Sequence, residues 1–189
     1  MTALIIILIV IVVLALAGIL LYNGLIRRRN QVENAWAQID VQLKRRYDLI
    51  PNLVESVKGY AAHEKQAMEA VINARARAVS VSSDAAHAGQ KAEAEGFLTQ
   101  ALGRLIAVAE AYPDLKANTN FMSLQEELAS TENKIGFARQ HFNDVVARYE
   151  EARHTFPSNI IASAFNFGGR EYFRETNEAV REAPKVSFS

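Results

Sequence analysis

Phe121–Phe156, FMSLQEELASTENKIGFARQHFNDVVARYEEARHTF, is the stretch whose reading decides the fold. Phe121, Leu124, Leu128, Thr131, Ile135, Ala138, Phe142, Val145, Tyr149, Ala152 and Phe156 recur in an unbroken three–four alternation. That spacing puts them on one face of a helix about 50 Å long, so the face must be covered by other helices. Asn118 or Thr119 is the expected N-cap.

Working back from this segment, three more apolar stripes appear. Lys91 to Tyr112 carries Ala94, Leu98, Ala101, Leu105, Val108 and Tyr112, and Pro113-Asp114 is expected to end it. His63 to Val81 places Ala67, Met68, Val71, Ala74 and Ala78 inward, and Ser80, Ser82, Ser83, Asp84 and Gly89 form a polar break after it. A longer helix, expected from near Arg28 to Tyr60, carries Val32, Trp36, Ile39, Leu43, Arg46, Ile50, Leu53, Val57 and Tyr60, with Arg46 alone breaking the apolar stripe. Pro51 lies inside it and takes away the hydrogen bond to the Tyr47 carbonyl, so a kink is expected there. Four striped helices with short connections predict an antiparallel up-down four-helix bundle. A continuous coiled coil would need no breaks, whereas Gly59, the serine run and Pro113 supply turns.

Before these helices stands Ala3–Leu21, ALIIILIVIVVLALAGILL, without one polar side chain. As a helix it is roughly 28 Å long, the thickness of a bilayer's hydrocarbon core. Ala15-Leu16-Ala17 has the small-x-small form of a signal cleavage site. No basic residue precedes the run, however, and Arg27, Arg28 and Arg29 follow it, so a retained single-pass anchor is expected. The arginines, with Lys44, Arg45 and Arg46 beyond, predict that the helical domain is cytoplasmic. The expected organisation is an anchor at 1–26, a four-helix-bundle domain at 27–156 and an apolar C-terminal segment and tail at 157–189.

Composition narrows function by exclusion. Lysine plus arginine and aspartate plus glutamate number 21 each, a balance unlike that of a nucleic-acid-binding surface. With no cysteine, there are no disulfides, thiolates or lipidated cysteine. His63-Glu64 opens like a zinc-protease motif but has no second histidine in place, and His87, His141 and His154 lie on other segments. Glu110, Glu126, Glu127 and Glu132 lack the Glu-x-x-His pairs of a di-metal bundle and are expected on a solvated face. No catalytic, cofactor-binding or metal-ligating residue is assigned, and a non-enzymatic protein is expected. Gln42 to Asp48 is expected to be a solvated face, with Lys44 pairing with Asp48. Trp36 is expected in the core.

The segment after Phe156-Pro157-Ser158-Asn159 holds Ile160, Ile161, Ala162, Ala164, Phe165, Phe167, Tyr172 and Phe173. So many large apolar residues must pack on something: the end of the bundle, a lipid surface or a neighbouring subunit. An even number of helices returns the chain to its starting end, so Ile160 to Phe173 is expected beside the anchor and near the lipid surface.

Three stretches, 22–64 (YNGLIRRRNQVENAWAQIDVQLKRRYDLIPNLVESVKGYAAHE), 110–144 (EAYPDLKANTNFMSLQEELASTENKIGFARQHFND) and 155–167 (TFPSNIIASAFNF), closely resemble the LemA family. The resemblance implies a single-pass bacterial membrane protein with a four-helix-bundle domain, and no reaction comes with it. It associates such proteins with membrane remodelling in organelle-forming bacteria and with neighbouring membrane metalloproteases. The expected function is a membrane-anchored scaffold or adaptor that self-associates as a homo-oligomer or docks on a membrane protein such as a membrane protease. A membrane-shaping protein that uses its C-terminal apolar segment is the alternative. The lipid bilayer is the partner common to both.

Overall fold

The computed structural model describes residues 1–174, and every regular element among them is helical. The helices are α1 (Thr2–Tyr60), α2 (Lys65–Ser80), α3 (Ala88–Glu110), α4 (Pro113–Lys116), α5 (Thr119–His154) and α6 (Ser158–Ala164), with a 3₁₀ turn at Ala85–His87 before α3.

The largest departure from expectation is in α1. The apolar run and the first striped segment are one unbroken helix from Thr2, rather than a separate helix starting near Arg28. Residues 21–31 contain no proline, and Gly24 alone does not outweigh the good helix formers Leu25, Ile26 and Arg27 to Arg29 around it. The most apolar stretch of α1 is uncovered by the other described residues, and Leu25 is the first residue of α1 to be buried. Beyond it Val32, Trp36, Ile39, Leu43, Arg46, Ile50, Leu53 and Val57 are all buried, as their spacing demands, while Tyr60 is exposed.

Helical hydrogen bonding also runs through Pro51. The carbonyl of Tyr47, which loses its i+4 donor to the proline ring, instead accepts a hydrogen bond of 2.9 Å from Nε of Arg75 on α2. An element far along the chain thus supplies the missing partner, which a buried carbonyl requires.

Along α1 and α5 the partners are ordered. Tyr60 receives a hydrogen bond from Asn118, just before α5, at 2.9 Å; Arg45 pairs with Glu127 at 2.7 Å; Arg28 donates to the carbonyl of Arg148 at 3.1 Å. Trp36 and Phe142 meet edge to face at 5.4 Å and anchor the core between these helices. Asn118 caps α5 as expected, accepting from the Phe121 amide at 3.0 Å. At the end of α5, Phe156 is exposed and the helix stops at His154, so the stripe runs out one turn earlier than its spacing suggests. Pro113 starts the short α4 at its first turn instead of merely ending α3. Asp84 prepares α3 by accepting from the amides of Ala86 and His87 at 2.9 and 3.1 Å.

The bond from Arg75 to the Pro51-orphaned carbonyl is testable by a double-mutant cycle. Arg75→Leu should destabilise the protein by about 1.5–3 kcal/mol, the range for a charged hydrogen bond. In a Pro51→Ala background, where residue 51 has its own N–H, the same change should cost less than about 1 kcal/mol. Equal costs in denaturant melts of both backgrounds would show that Arg75 acts some other way.

Candidate functional site

Two places concentrate polar or exposed apolar chemistry. The first is a charge cluster in the interior. Arg46, the residue that breaks the α1 stripe, is 4% exposed; its Nη1 lies 3.3 Å from Glu95 and 3.1 Å from Glu132, and its Nη2 donates to the Thr99 hydroxyl at 2.7 Å. Helices α1, α3 and α5 therefore meet at one guanidinium. The Tyr47 hydroxyl donates to the other oxygen of Glu95. Lys91, one turn before Glu95, is buried and donates to the carbonyls of Ala78 and Val81 at 2.9 and 3.3 Å, closing the C-terminal end of α2.

Three sequence expectations are corrected here. The run from Gln42 to Asp48 is not wholly a solvated face, because Arg46 and Tyr47 point into the core. Lys44 pairs with Asp40 at 3.1 Å rather than with Asp48, an i,i+4 arrangement with the acid on the favoured N-terminal side. Nor is Glu132 simply part of a solvated acidic face, since it serves the buried Arg46.

Burial pushes the Glu95 carboxyl above its ordinary range, against the pull of Tyr47, Arg46 and Lys91, and pushes Lys91 below its own. Beside the cluster is a cavity of about 190 Å³ whose walls include Arg46, Arg139, Glu95, Glu132 and Phe173. Its acids and bases balance, so it favours neither an anion nor a cation. Among the described residues no group of three or more His, Cys, Asp or Glu side chains could hold a metal ion. His63, His87, His141 and His154 are exposed and on separate segments, and His87 lies 2.8 Å from Asp84.

The second place is where the C-terminal segment returns to α1. After a cis Phe156–Pro157 bond, α6 lies against α1, with Ile161 Cδ1 4.0 Å from where a β-carbon on Gly18 would stand. Tyr22 meets the rings of Phe165 and Phe167 edge to face at 4.9 and 5.6 Å, and Arg29 lies over Phe167 at 5.7 Å. Asn166 takes a left-handed conformation (φ 53°), which lets the Phe167 amide bond the Ala162 carbonyl at 2.9 Å and closes α6.

The chain then runs back along the domain as a strap. The Tyr149 hydroxyl donates to the Gly168 carbonyl at 2.7 Å, Glu150 accepts from the Arg170 amide at 2.6 Å, and Arg170 reaches Glu33 at 3.0 Å. Asn143 exchanges two hydrogen bonds with the backbone of Phe173, whose ring reaches Trp36 at 6.0 Å. Ala162, Phe167 and Phe173 are buried, but Phe156, Ile160 and Phe165 are not.

Sequence reasoning found the return of the tail but missed the cluster. Arg46 was one visible sign of it, and Lys91 with Glu95 on the buried side of α3 was a second.

The sequence model of the LemA family matches residues 35–188. The chain belongs to the LemA family. It is similar to Protein LemA of Metamycoplasma hominis, 24% identical over 140 residues that make up 74% of this chain and 63% of that one. It is also similar to magnetosome protein MamQ of Magnetospirillum gryphiswaldense (24% over 176 residues) and to magnetosome protein MamQ 2 of Paramagnetospirillum magneticum (26% over 176 residues). Each of these two alignments covers 82% of this chain and 65% of the relative. The LemA-family chain thus spans less than two thirds of the length of these curated relatives.

The charge cluster gives a prediction with a defined sign. Arg46→Met should cost about 3–5 kcal/mol at pH 7.5, because it leaves Glu95 buried without its guanidinium. Glu95 is raised above its ordinary value of 4.5, so the native state keeps its proton longer than the unfolded state does. Stability from this group is therefore fullest below that value and falls as pH rises through the native-state value. Removing Arg46 removes a force that opposes the rise, so the variant's deficit should shrink between pH 7.5 and pH 5. A deficit that stays constant across that range in denaturant melts would contradict the assignment.

Proposed function

We propose that this LemA-family protein is a non-enzymatic, membrane-anchored scaffold. In this reading the first part of α1 spans a bacterial inner membrane, and α1, α2, α3 and α5 form an antiparallel four-helix bundle that self-associates or docks on a membrane protein. The single observation that carries it is the unbroken α1: the uncovered apolar length of a bilayer span passes directly into a helix whose stripe is buried by the others. The ordered pairing of Tyr60 with Asn118, Arg45 with Glu127 and Arg28 with Arg148 supports opposite directions for α1 and α5. The interior charges are each engaged, Arg46 with Glu95 and Glu132 and Lys91 with the carbonyls of Ala78 and Val81, which suits a structural role better than a catalytic one. The exposed Val41 and Phe137 flank a groove between α1 and α5 and offer a surface for a partner.

Arg27, Arg28 and Arg29, just beyond the apolar run, favour a cytoplasmic bundle. Organisation into anchor (1–26), bundle (27–156) and C-terminal segment and tail (157–189) belongs to the same proposal, although the boundary near residue 26 falls inside α1.

The test is biochemical. The chain should stay in the membrane pellet after alkaline carbonate washing, and deletion of residues 1–26 should release it. Single cysteines at Ser83 and Ser130, introduced into a chain that has none, should resist an impermeant maleimide in intact cells. Release of the full chain by carbonate would overturn the anchor, and labelling of both cysteines would place the bundle outside.

A further inference from the structure

The first part of α1 accounts for one attachment to lipid, but the described chain carries a second apolar surface at the same end. Within residues 156–165, Phe156, Ile160 and Phe165 are 75%, 57% and 60% exposed. They are not a scattered trio on an otherwise polar surface. Phe156 and Ile160 stand four residues apart where the chain enters α6, and Phe165 closes that helix. The inward side of α6 is already used, since Ala162 is buried and Ile161 is packed near Gly18.

The depth of α6 follows from what it touches. Gly18 is three residues before Leu21, the last residue of the apolar run, and so about 4.5 Å inside its end along the helix axis. Tyr22, which holds Phe165, is the first residue past that run. If the run fills the hydrocarbon core, α6 lies across the boundary between acyl chains and headgroups. The exposed Arg27, Arg28 and Arg29 stand one to two turns further out, at headgroup height. Short apolar helices with aromatic residues, rimmed by arginine, suit that layer. At seven residues α6 is far too short to span it.

We propose that α6 is a second, non-spanning membrane contact, with Phe156, Ile160 and Phe165 inserted into the interfacial layer of the bilayer beside the α1 span. A single spanning helix leaves its cargo free to rotate about the helix axis and to lean. A second contact off that axis fixes both. The strap makes the fixing effective, because Tyr149, Glu150 and Asn143 of α5 hold the residues after α6 at three points. The bundle is thereby held at a set orientation on the lipid surface. The inference rests on the anchoring proposed above, and its test separates the two.

Full-length protein carrying one nitroxide-labelled cysteine would be reconstituted into phosphatidylcholine–phosphatidylglycerol vesicles. The labels replace Ile160 or Phe156, both exposed, with Leu14 in the apolar run and Ser130 on α5 as references. Relaxation by oxygen and by a water-soluble nickel chelate then gives depth. The expected result is an oxygen-to-nickel ratio at Ile160 and Phe156 several-fold above that at Ser130 and below that at Leu14. A lipid-buried Leu14 with Ile160 and Phe156 as wet as Ser130 would overturn the inference and leave the anchor standing. Labels shielded from both relaxants and spin-coupled between copies would overturn it in favour of a subunit contact. A wet Leu14 would overturn the anchor and the inference together.

Discussion

The backbone of α1 is the constraint on which the rest depends. An apolar run of bilayer length can satisfy its amides and carbonyls only within itself, which makes it a helix in lipid. Because no breaker follows, the same hydrogen-bond ladder continues to Tyr60, and the direction and rotation of the first segment are inherited by the second. Helices α2, α3 and α5 are then arranged around a stripe whose orientation the apolar run has already set. At Pro51, the one point where the ladder loses a bond, Arg75 of α2 restores the partner, so the defect becomes a tie between helices.

Interior polarity adds specificity to that frame. Apolar stripes alone would tolerate sliding or exchange of α3 and α5 against α1. A guanidinium that must meet Glu95 and Thr99 on one helix and Glu132 on another is satisfied in one register only. This use of a buried charge to choose among packings, at a cost in desolvation, is known from other helical assemblies. Lys91 performs a related duty at the end of α2, where free carbonyls would otherwise be buried.

The helices were legible because burial on one face imposes a period, and that period is visible residue by residue from Val32 to Val57 and from Phe121 to Tyr149. The N-cap at Asn118 was legible for an equally local reason. The partners of Arg46 were not, since Glu95 and Glu132 lie 49 and 86 positions away and nothing local distinguishes them from surface acids. Lys44 found Asp40 instead of Asp48 because both choices satisfy the same spacing. Ser158–Ala164 was recognisable as apolar but not as a helix, being too short to show a period. Its return towards the end where α1 begins was expected from counting helices, an argument about topology, whereas its packing on Gly18 and Tyr22 had no local sign in the sequence.

Continuity of α1 from its apolar run into the buried stripe is the claim that everything else presupposes. It is tested most directly by a distance between spin labels replacing Leu16 and Val41, both exposed and 25 residues apart on the helix. An unbroken α-helix places them about 38 Å apart in one narrow distribution, in detergent and in bilayers alike. A broad distribution, or a shorter distance that shifts on moving from detergent to bilayer, would mean a hinge between anchor and domain and would contradict the account.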